Sequence, residues 1–458
     1  MIRPTLALAF AFALSLFAPA AHAQTATADG FAPAEARGDL LIRGGTVLTV
    51  GAGTLEDTDV LVEDGKIARI GRGIEAPRGV RTVDAAGKYV MPGIIDAHSH
   101  IGLSSVNEAS APVTAEIQVG DVLDPLDVRL YRALAGGVTT SHLMHGSANV
   151  IGGQNETVKH RYGTLDPEGI RFDGAPRTIK FALGENPIRV HGRSRGIRPL
   201  SRMGVEQVFR EAFSEARRYR AAYDRYETAK ARGERPTPPP YDDRLDALAG
   251  VLAGEIRPHI HSYRSDEILM LLGVFRDFGI DGVTFQHVNE GFKVAPELAA
   301  FGAGASVFSD WYAYKFEVYY STAYNVAILH RNGVLASINS DSSELVRHLY
   351  HEAAKSQRYG GLTDDEALAL ITINPARQLG IADRVGSIEV GKDADLAVFS
   401  AHPLSIYAVP EVTVVDGVVR FDRAADPDDV RLLVDAERPV DDVLLLTDEG
   451  ESCMLDAR

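Results

Sequence analysis

Short apolar segments bounded by glycine and aspartate predict β-strands near both ends of the chain. The first group comprises residues 40–42, 46–48, 60–62 and 67–70, and the second comprises residues 387–390, 396–399, 412–415 and 418–421. Asp64-Gly65, which lies between two segments of the first group, predicts a hairpin turn. We expect the two groups to pair into one small β-sandwich domain built from residues 39–90 and 381–425.

The pattern changes between residues 91 and 380, where apolar strands alternate with helical segments. The predicted strands comprise residues 138–140, 178–183, 256–261, 283–287, 305–308 and 334–338. Ser265 is expected to cap one helix, which Gly279 ends, and Thr363 with Glu366 forms a capping box for another. Repeated strand–helix units predict a parallel sheet, and at about 280 residues its natural closure is an α/β fold of the (β/α)8 TIM-barrel type.

Three further segments complete the predicted organisation. A charged helix, a proline-rich stretch and a second helix predict a helical insertion at about 200–250. Residues 1–23 carry an early arginine, an apolar run and a small-residue cleavage site, which is typical of a signal peptide and predicts export to the periplasm or beyond. Residues 24–38 are expected to be a flexible leader and residues 426–458 a C-terminal tail, and no segment after the signal is apolar enough to span a membrane.

Composition narrows the function. The chain has 458 residues and a net charge of −16, with no long basic run, which argues against nucleic-acid binding. Cys453 is the only cysteine, so the sequence disfavours a disulfide, a cysteine-based zinc site and a catalytic cysteine. We expect a small-molecule or peptide substrate as the partner and leave a homo-oligomer open.

The candidate chemistry begins at His98-Ser99-His100, which follows an apolar stretch. Residues i and i+2 of a strand face the same side, so both imidazoles would point to one place at the end of a barrel strand. His259, His261, His287 and Asp341 lie at the ends of later predicted strands. Imidazole and carboxylate suit zinc and similar divalent ions. The ordinary alternatives are hydrogen-bonded structural histidines and, for Asp341, a helix cap.

Several segments resemble the amidohydrolase superfamily. VMPGIIDAHSH (90–100) resembles the signature of the family's first barrel strand, GGVTT (136–140) that of its second and NSDSSE (339–344) that of its eighth. INPARQLGIADRVGSIEVGKDADLAVF (373–399) resembles the segment in which the family's chain returns to the β domain. Three further segments resemble an exported branch of the superfamily that is related to imidazolonepropionase and to metal-dependent dipeptidases. They are GGQ (152–154), KFALGENP (180–187) and HSYRSDEI (261–268).

The resemblance implies a ligand set for one or two divalent ions, with zinc expected. The implied ligands are His98, His100, His261, His287 and Asp341, together with Lys180 as a carbamylated lysine that bridges two ions. His261 is preferred to His259 because it begins the matching segment. Glu185 and Lys159 are the alternatives to Lys180 as the bridging group.

The implied activity is hydrolysis of amide or peptide-like C–N bonds by a metal-activated water, with Asp341 as general base and acid and with His287 also catalytic. Tyr263 and Arg264 are expected to contact substrate. The planar guanidinium of Arg264 suits a substrate carboxylate, and the alternative is that it pairs with an acidic residue of the protein. His145, with His142 as its rival, is expected to polarise a carbonyl, and the alternative for both is a structural role. His348 and His351 are expected to be surface or packing residues. Dipeptides or N-acyl amino acids are the expected substrates. The alternatives are cyclic amides, a deaminase reaction and a non-catalytic binding protein.

Overall fold

The computed structural model describes residues 37–312 and 314–433. The predicted signal peptide, nearly all of the predicted leader and most of the predicted tail, with Cys453, lie outside the described residues, so export stays a prediction. Within the described ranges, no helix combines the length and the apolar character that crossing a bilayer requires.

The described chain begins with five strands that precede the barrel. They are β1 (Leu40–Leu48), β2 (Thr54–Glu63), β3 (Lys66–Gly71), β4 (Arg81–Asp84) and β5 (Tyr89–Pro92). The predicted hairpin turn joins β2 to β3, and Asp64 and Gly65 have the positive φ values, 49° and 73°, that such a turn needs. The two segments predicted at residues 40–48 form a single strand, because the chain continues through Gly44 and Gly45 with shifts in register.

Eight strands paired in chain order form the barrel. They are β6 (Ile94–Ser99), β7 (Val138–Leu143), β8 (Ile151–Lys159), β9 (Thr178–Ala182), β10 (Arg257–Ser262), β11 (Thr284–His287), β12 (Gly304–Val307) and β13 (Leu335–Ile338). The amide of Asp341 donates to the carbonyl oxygen of His98 at 3.0 Å, so the chain after β13 reaches β6 and the α/β barrel nearly closes.

One strand departs from the predicted parallel (β/α)8 arrangement. β8 runs antiparallel to both β7 and β9, whereas the other paired strands of the barrel are parallel. A parallel crossover needs about a dozen residues or more, and residues 144–150 are too few for one. The chain therefore reverses direction after β7.

Ten α-helices lie in the described ranges: α1 (Val128–Leu134), α2 (Glu185–Pro187), α3 (Arg202–Ala231), α4 (Asp243–Leu252), α5 (Ser265–Phe278), α6 (Ala295–Phe301), α7 (Asn325–Arg331), α8 (Leu349–Gly360), α9 (Asp364–Ala369) and α10 (Ile373–Leu379). The predicted capping box of Thr363 and Glu366 is confirmed at α9. The predicted cap by Ser265 is wrong, because Arg264 occupies the N-cap position of α5 without a side-chain cap. Gly279 ends α5 with a left-handed φ of 70°, as expected.

The helices α3 and α4 occupy the segment predicted as an insertion. The Phe181 ring on β9 lies 5.3 Å from the Phe209 ring and 6.0 Å from the Phe213 ring, both on α3, and 6.4 Å from the Phe275 ring on α5. These apolar contacts pack the long helix against the barrel beside the strand that carries Lys180.

The last three strands return to the first sheet. They are β14 (Leu396–Phe399), β15 (Pro410–Val415) and β16 (Val418–Asp422), and they extend the order β16-β15-β14-β5-β1-β2-β3, with β4 beside β1. Strands from both chain ends thus share one eight-stranded sheet, and the two-layered sandwich stays a prediction. The predicted strand at residues 387–390 is wrong, because the chain turns at Gly386 and Gly391, whose φ values are 91° and 95°.

Candidate metal and active site

Five of the predicted ligands meet at one end of the barrel. Oδ1 of Asp341 lies 3.1 Å from Nε2 of His100 and 3.5 Å from Nε2 of His98, and its Oδ2 lies 3.6 Å from Nε2 of His287. The His261 ring lies 4.8 Å from the His287 ring. None of the five side chains is more than 2% exposed. They form what we call the histidine cluster: His98, His100, His261, His287 and Asp341.

The backbone is held in an uncommon conformation at two members of this cluster. His287 and Asp341 have φ values of 68° and 44°, in the left-handed region that residues other than glycine seldom adopt. Such strain persists where surrounding structure enforces it, often at functional sites. Asp96 contributes to this enforcement, because its carboxylate accepts hydrogen bonds from the backbone N–H and the hydroxyl of Ser340, next to Asp341. Burial raises the pKa of Asp96 to about 7, against the lowering effect of these hydrogen bonds.

The histidines suit a divalent cation. Among the described residues, neither ring nitrogen of His261 or His287 has a hydrogen-bond partner, although buried polar atoms normally have one. Burial lowers the pKa of His98 and of His261 well below the ordinary value, and it lowers that of His287 to about 3 although nearby Asp341 acts to raise it. These rings are therefore neutral, which is the form that binds metals.

His100 shows how one ligand is oriented. Its Nδ1 donates to the carbonyl oxygen of Met144 at 2.8 Å, so Nε2 is the ring nitrogen that faces the cluster, 3.1 Å from Oδ1 of Asp341. Metal-binding histidines characteristically donate their other ring N–H to such a partner. The residues present therefore fit a divalent ion, and imidazole with carboxylate favours zinc or a similar metal.

Lys180 lies at the edge of the histidine cluster. Its side chain is fully buried on β9, and Nζ lies 3.1 Å from Nε2 of His98. The alternative Glu185 is half-buried at the start of α2, where its backbone N–H donates to Glu317 at 3.0 Å. In the described part of the chain, the side chains whose ligand atoms lie close enough to share one ion are His98, His287 and Asp341, and Glu185 is not among them.

Lys159, the other alternative, is wrong as a bridging candidate. Its Nζ contacts Asp416 at 2.5 Å, Asp393 at 2.9 Å and Asp395 at 3.2 Å. Burial acts to lower the pKa of Lys159, but the three carboxylates outweigh burial and raise it. An ammonium group held in this way carries no metal-ligand function.

Three other predicted histidines are hydrogen-bonded within the protein through at least one ring nitrogen. His142 contacts the Thr178 hydroxyl at 2.7 Å and the Ala97 carbonyl oxygen at 3.2 Å. Nδ1 of His259 contacts Gln286 at 3.0 Å.

Nδ1 of His145 donates to the Gly146 carbonyl oxygen at 2.9 Å, and its Nε2 accepts from the backbone N–H of Glu108 at 2.8 Å. The expectation that His145 or His142 polarises a substrate carbonyl is therefore not supported. His348 and His351 stack on each other, 5.9 Å apart, near the surface.

Tyr263 and Arg264, two and three residues after His261, have different surroundings. Arg264 donates through Nε and Nη2 to both carboxylate oxygens of Asp266, at 3.0 and 2.9 Å. The guanidinium group that was expected to bind a substrate carboxylate is therefore paired with a carboxylate of the protein. Tyr263 is only 2% exposed, and its ring lies 4.6 Å from the His261 ring and 5.4 Å from the His287 ring. Tyr263 therefore lies at the histidine cluster, whereas Arg264 lies outside it.

A loop after β12 contributes residues that sequence reasoning missed. The Phe308 ring stacks on His287 at 4.5 Å, and Trp311 stacks on Phe308 at 4.5 Å. Tyr314 donates its hydroxyl hydrogen to the hydroxyl of Tyr263 at 3.1 Å. The only sequence signal was the number of aromatic residues between positions 308 and 324, and nothing in their spacing predicts which ones face the site.

Comparison with known proteins identifies the family. The amidohydrolase family profile matches residues 318–421. A solved amidohydrolase from Thermotoga maritima MSB8 shares 35% identity and a TM-score of 0.77 over 84% of this chain and 100% of its own. Amidohydrolase tasK of Hapsidospora irregularis is 34% identical over 400 residues, 80% of this chain, and the chain spans 40% of that relative's length. A 5-methylthioadenosine/S-adenosylhomocysteine deaminase of Symbiobacterium thermophilum is 27% identical over 79% of this chain and 85% of the relative. The chain belongs to the amidohydrolase superfamily.

Proposed function

We propose that the protein hydrolyses amide-type C–N bonds with the help of one or two divalent metal ions held by the histidine cluster. The observation that carries this proposal is the pair His261 and His287, whose ring nitrogens are fully buried and, within the described residues, have no hydrogen-bond partner. Asp341 faces His287 from 3.6 Å. Neutral imidazoles around a buried carboxylate are a costly arrangement without a cation and a favourable one with it.

His98, His100, His261, His287 and Asp341 would hold the metal, which we expect to be zinc. When bound, such an ion supplies a nucleophilic water at neutral pH and polarises the carbonyl group under attack. We further propose that Nζ of Lys180 adds carbon dioxide and loses a proton. The resulting carbamate is a carboxylate-like group beside His98, and it could bridge two cations, which a protonated lysine could not do.

The chain's own residues would perform the proton transfers. The Asp341 carboxylate would accept a proton from the attacking water and deliver it to the nitrogen that leaves when the C–N bond breaks. Its two oxygens lie against different histidines, which fixes the orientation of the carboxylate. Phe308 and Tyr263 cover His287 and limit the access of bulk water to the cluster.

We favour dipeptides or N-acyl amino acids as substrates. The segments that resemble metal-dependent dipeptidases support this choice. The cationic side chains of Arg189, Arg193 and Lys315 line a pocket next to Tyr263 and suit a substrate with a free carboxylate. A second candidate is hydrolysis of a cyclic amide or a deamination. It is favoured by the imidazolonepropionase-like segments and by the deaminase relative, which is similar over 79% of this chain.

The metal content of the purified protein and its activity test the proposal together. We expect zinc or a similar ion to co-purify, and chelation to abolish turnover of dipeptide and N-acyl amino acid libraries. His261→Ala should lower both metal content and kcat/KM, the latter by at least about 100-fold, since even indirect partners of a metal typically contribute 10–100-fold.

His348→Ala is the matched control, because it removes an imidazole that lies outside the cluster. This variant should keep its metal and its activity. Full turnover after chelation would contradict metal dependence. A metal-loaded protein that turns over no dipeptide, N-acyl amino acid, cyclic amide or aminopurine would contradict the hydrolase proposal.

A further inference from the structure

A small cavity with a positive lining lies on the same side of the barrel as Tyr263. Its volume is about 300 Å³, and we call it the basic pocket, lined by Glu185, Arg189, Arg193, Tyr314, Lys315 and Phe316. Three of these side chains are cationic and one is anionic, in a chain whose net charge is −16. A local excess of positive charge in an acidic protein favours an anionic ligand.

Two separate segments build this pocket. Arg189 and Arg193 come from a π-helical turn, Ile188–Arg193, that continues from α2. Such turns are rare and frequently occur at functional sites. Lys315 approaches from the loop after β12, and its Nζ donates to Oδ1 of Asn186, in α2, at 3.0 Å.

The loop that carries Lys315 is held in place by contacts with α2 and α3. Glu317, which is 5% exposed, accepts a hydrogen bond from the backbone N–H of Glu185 at 3.0 Å and pairs with Arg202 at the start of α3. Because Glu317, two residues after Lys315, is anchored in this way, the position of Lys315 is set before a ligand arrives. Preorganisation of this kind lowers the entropic cost of binding.

The basic pocket adjoins the histidine cluster. Nζ of Lys315 lies 4.5 Å from the centre of the Tyr263 ring, and that ring contacts both His261 and His287. Tyr314, which also lines the pocket, is hydrogen-bonded to Tyr263. One aromatic side chain, Tyr263, therefore lies in contact with both the cationic group and the histidines of the cluster.

We propose that the basic pocket binds the free carboxylate of the substrate, with Lys315 as the main contact and Arg189 and Arg193 beside it. The inference rests on the proposed hydrolase function and specifies its substrates as amides that carry a carboxylate near the scissile bond. Lys315 would thus bind the substrate carboxylate in place of Arg264, whose guanidinium group is paired with Asp266.

Lys315→Met tests this assignment, because methionine keeps the unbranched shape of lysine and removes its charge. The substrate is the best dipeptide from the library screen, compared with its C-terminal amide. We expect KM for the acid to rise about tenfold, which corresponds to about 1.4 kcal/mol, with kcat largely kept and the amide unaffected. Lys315→Arg should retain most of the preference for the acid. Lys230→Met on α3, an exposed lysine outside the pocket, should behave as the wild type.

A second measurement separates this proposal from the hydrolase function. Calorimetric titration with N-acetyl-L-alanine and with N-acetyl-L-alaninamide needs no turnover. We expect the wild type to bind the acid more tightly than the amide, and Lys315→Met to lose that difference. Equal binding of acid and amide by the wild type, or an unchanged difference in Lys315→Met, would overturn the carboxylate assignment even if the enzyme is active. If Lys315→Met loses the preference for the acid and the wild type turns over no substrate, the result would support the carboxylate assignment and contradict only the hydrolase proposal.

Discussion

Lys159 and Lys180 are fully buried lysines on the neighbouring barrel strands β8 and β9, and their surroundings differ in chemistry. Lys159 touches three aspartates, Asp393, Asp395 and Asp416, whereas Nζ of Lys180 lies 3.1 Å from an imidazole of the histidine cluster. Asp393 and Asp395 precede β14 and Asp416 follows β15, so Lys159 links the barrel to the sheet built from both chain ends. Lys180 instead lies at the candidate active site, next to His98.

The direction of β8 explains why two lysines so close in sequence lie in different places. Lys159 ends β8 but pairs with Thr140, near the start of β7, because the two strands are antiparallel. The end of β8 therefore lies at the opposite end of the barrel from the ends of the parallel strands. A buried ammonium group is stable there only because carboxylates surround it, which makes Lys159 a structural ion-pair centre.

Lys159→Met should have the largest effect on stability. Removing one partner of a buried ion pair typically costs about 3–5 kcal/mol, because the remaining charge is left buried without compensation. Urea denaturation should show a loss of that size in the free energy of unfolding. The folded fraction should keep the wild-type kcat/KM, because Lys159 has no contact with the histidine cluster.

Asp395 provides the control for this prediction. Lys66 and Arg384 also pair with Asp393, and Arg161 pairs with Asp416, whereas in the described part of the chain Lys159 is the only ion-pair partner of Asp395. Adding Asp395→Asn to Lys159→Met should therefore recover part of the lost stability. An unfolding free energy for Lys159→Met within about 1 kcal/mol of the wild type would contradict the assigned role.

Lys180→Met should show the reverse pattern. We expect kcat/KM to fall at least about 100-fold, equivalent to about 2.7 kcal/mol, because the variant loses the group next to His98. The free energy of unfolding should change less than in Lys159→Met, since the nearby buried carboxylate of Asp341 keeps its contacts with His100 and His287. NMR of protein supplied with carbon-13 bicarbonate should show a carbamate signal in the wild type and none in the variant.

Unchanged activity in Lys180→Met would remove the contrast between the two lysines. A wild-type protein without the carbamate signal, in which the variant still loses activity, would restrict Lys180 to positioning His98. Lys180→Arg is a useful companion, because arginine keeps a cation at the position but cannot form the carbamate.

The sequence predicted those parts of the site that depend on local pattern. The spacing of His98 and His100 and the placement of His261, His287 and Asp341 at strand ends follow from the alternation of a strand and the shared edge of a parallel sheet. The reversal at β8 was missed, because Gly152 and Gly153 and the polar residues that follow them do not read as a buried strand. That omission is also why Lys159 appeared to be a candidate at the active-site end.

The basic pocket was beyond prediction for a different reason. Lys315 lies on an irregular loop, and its relation to Tyr263 and Arg189 depends on the packing of segments far apart in sequence. Arg264 met the chemical requirement for binding a carboxylate, but nothing in the sequence alone shows that Asp266, two residues later, holds its fork. Local motifs thus located the members of the histidine cluster, whereas tertiary contacts decide which charged side chains line the basic pocket.

Thr363→Ala should have the smallest effect and supplies a reference for both lysines. The Thr363 hydroxyl accepts from the backbone N–H of Glu366 at 3.3 Å, and the Glu366 carboxylate accepts from the backbone N–H of Thr363 at 2.8 Å. Loss of such a cap costs about 1 kcal/mol. Urea denaturation should show this loss, with kcat/KM unchanged. A loss as large as that of Lys159→Met would mean that any defect at the barrel propagates through the whole fold, and the effect of Lys159→Met could then no longer be assigned to its three aspartates.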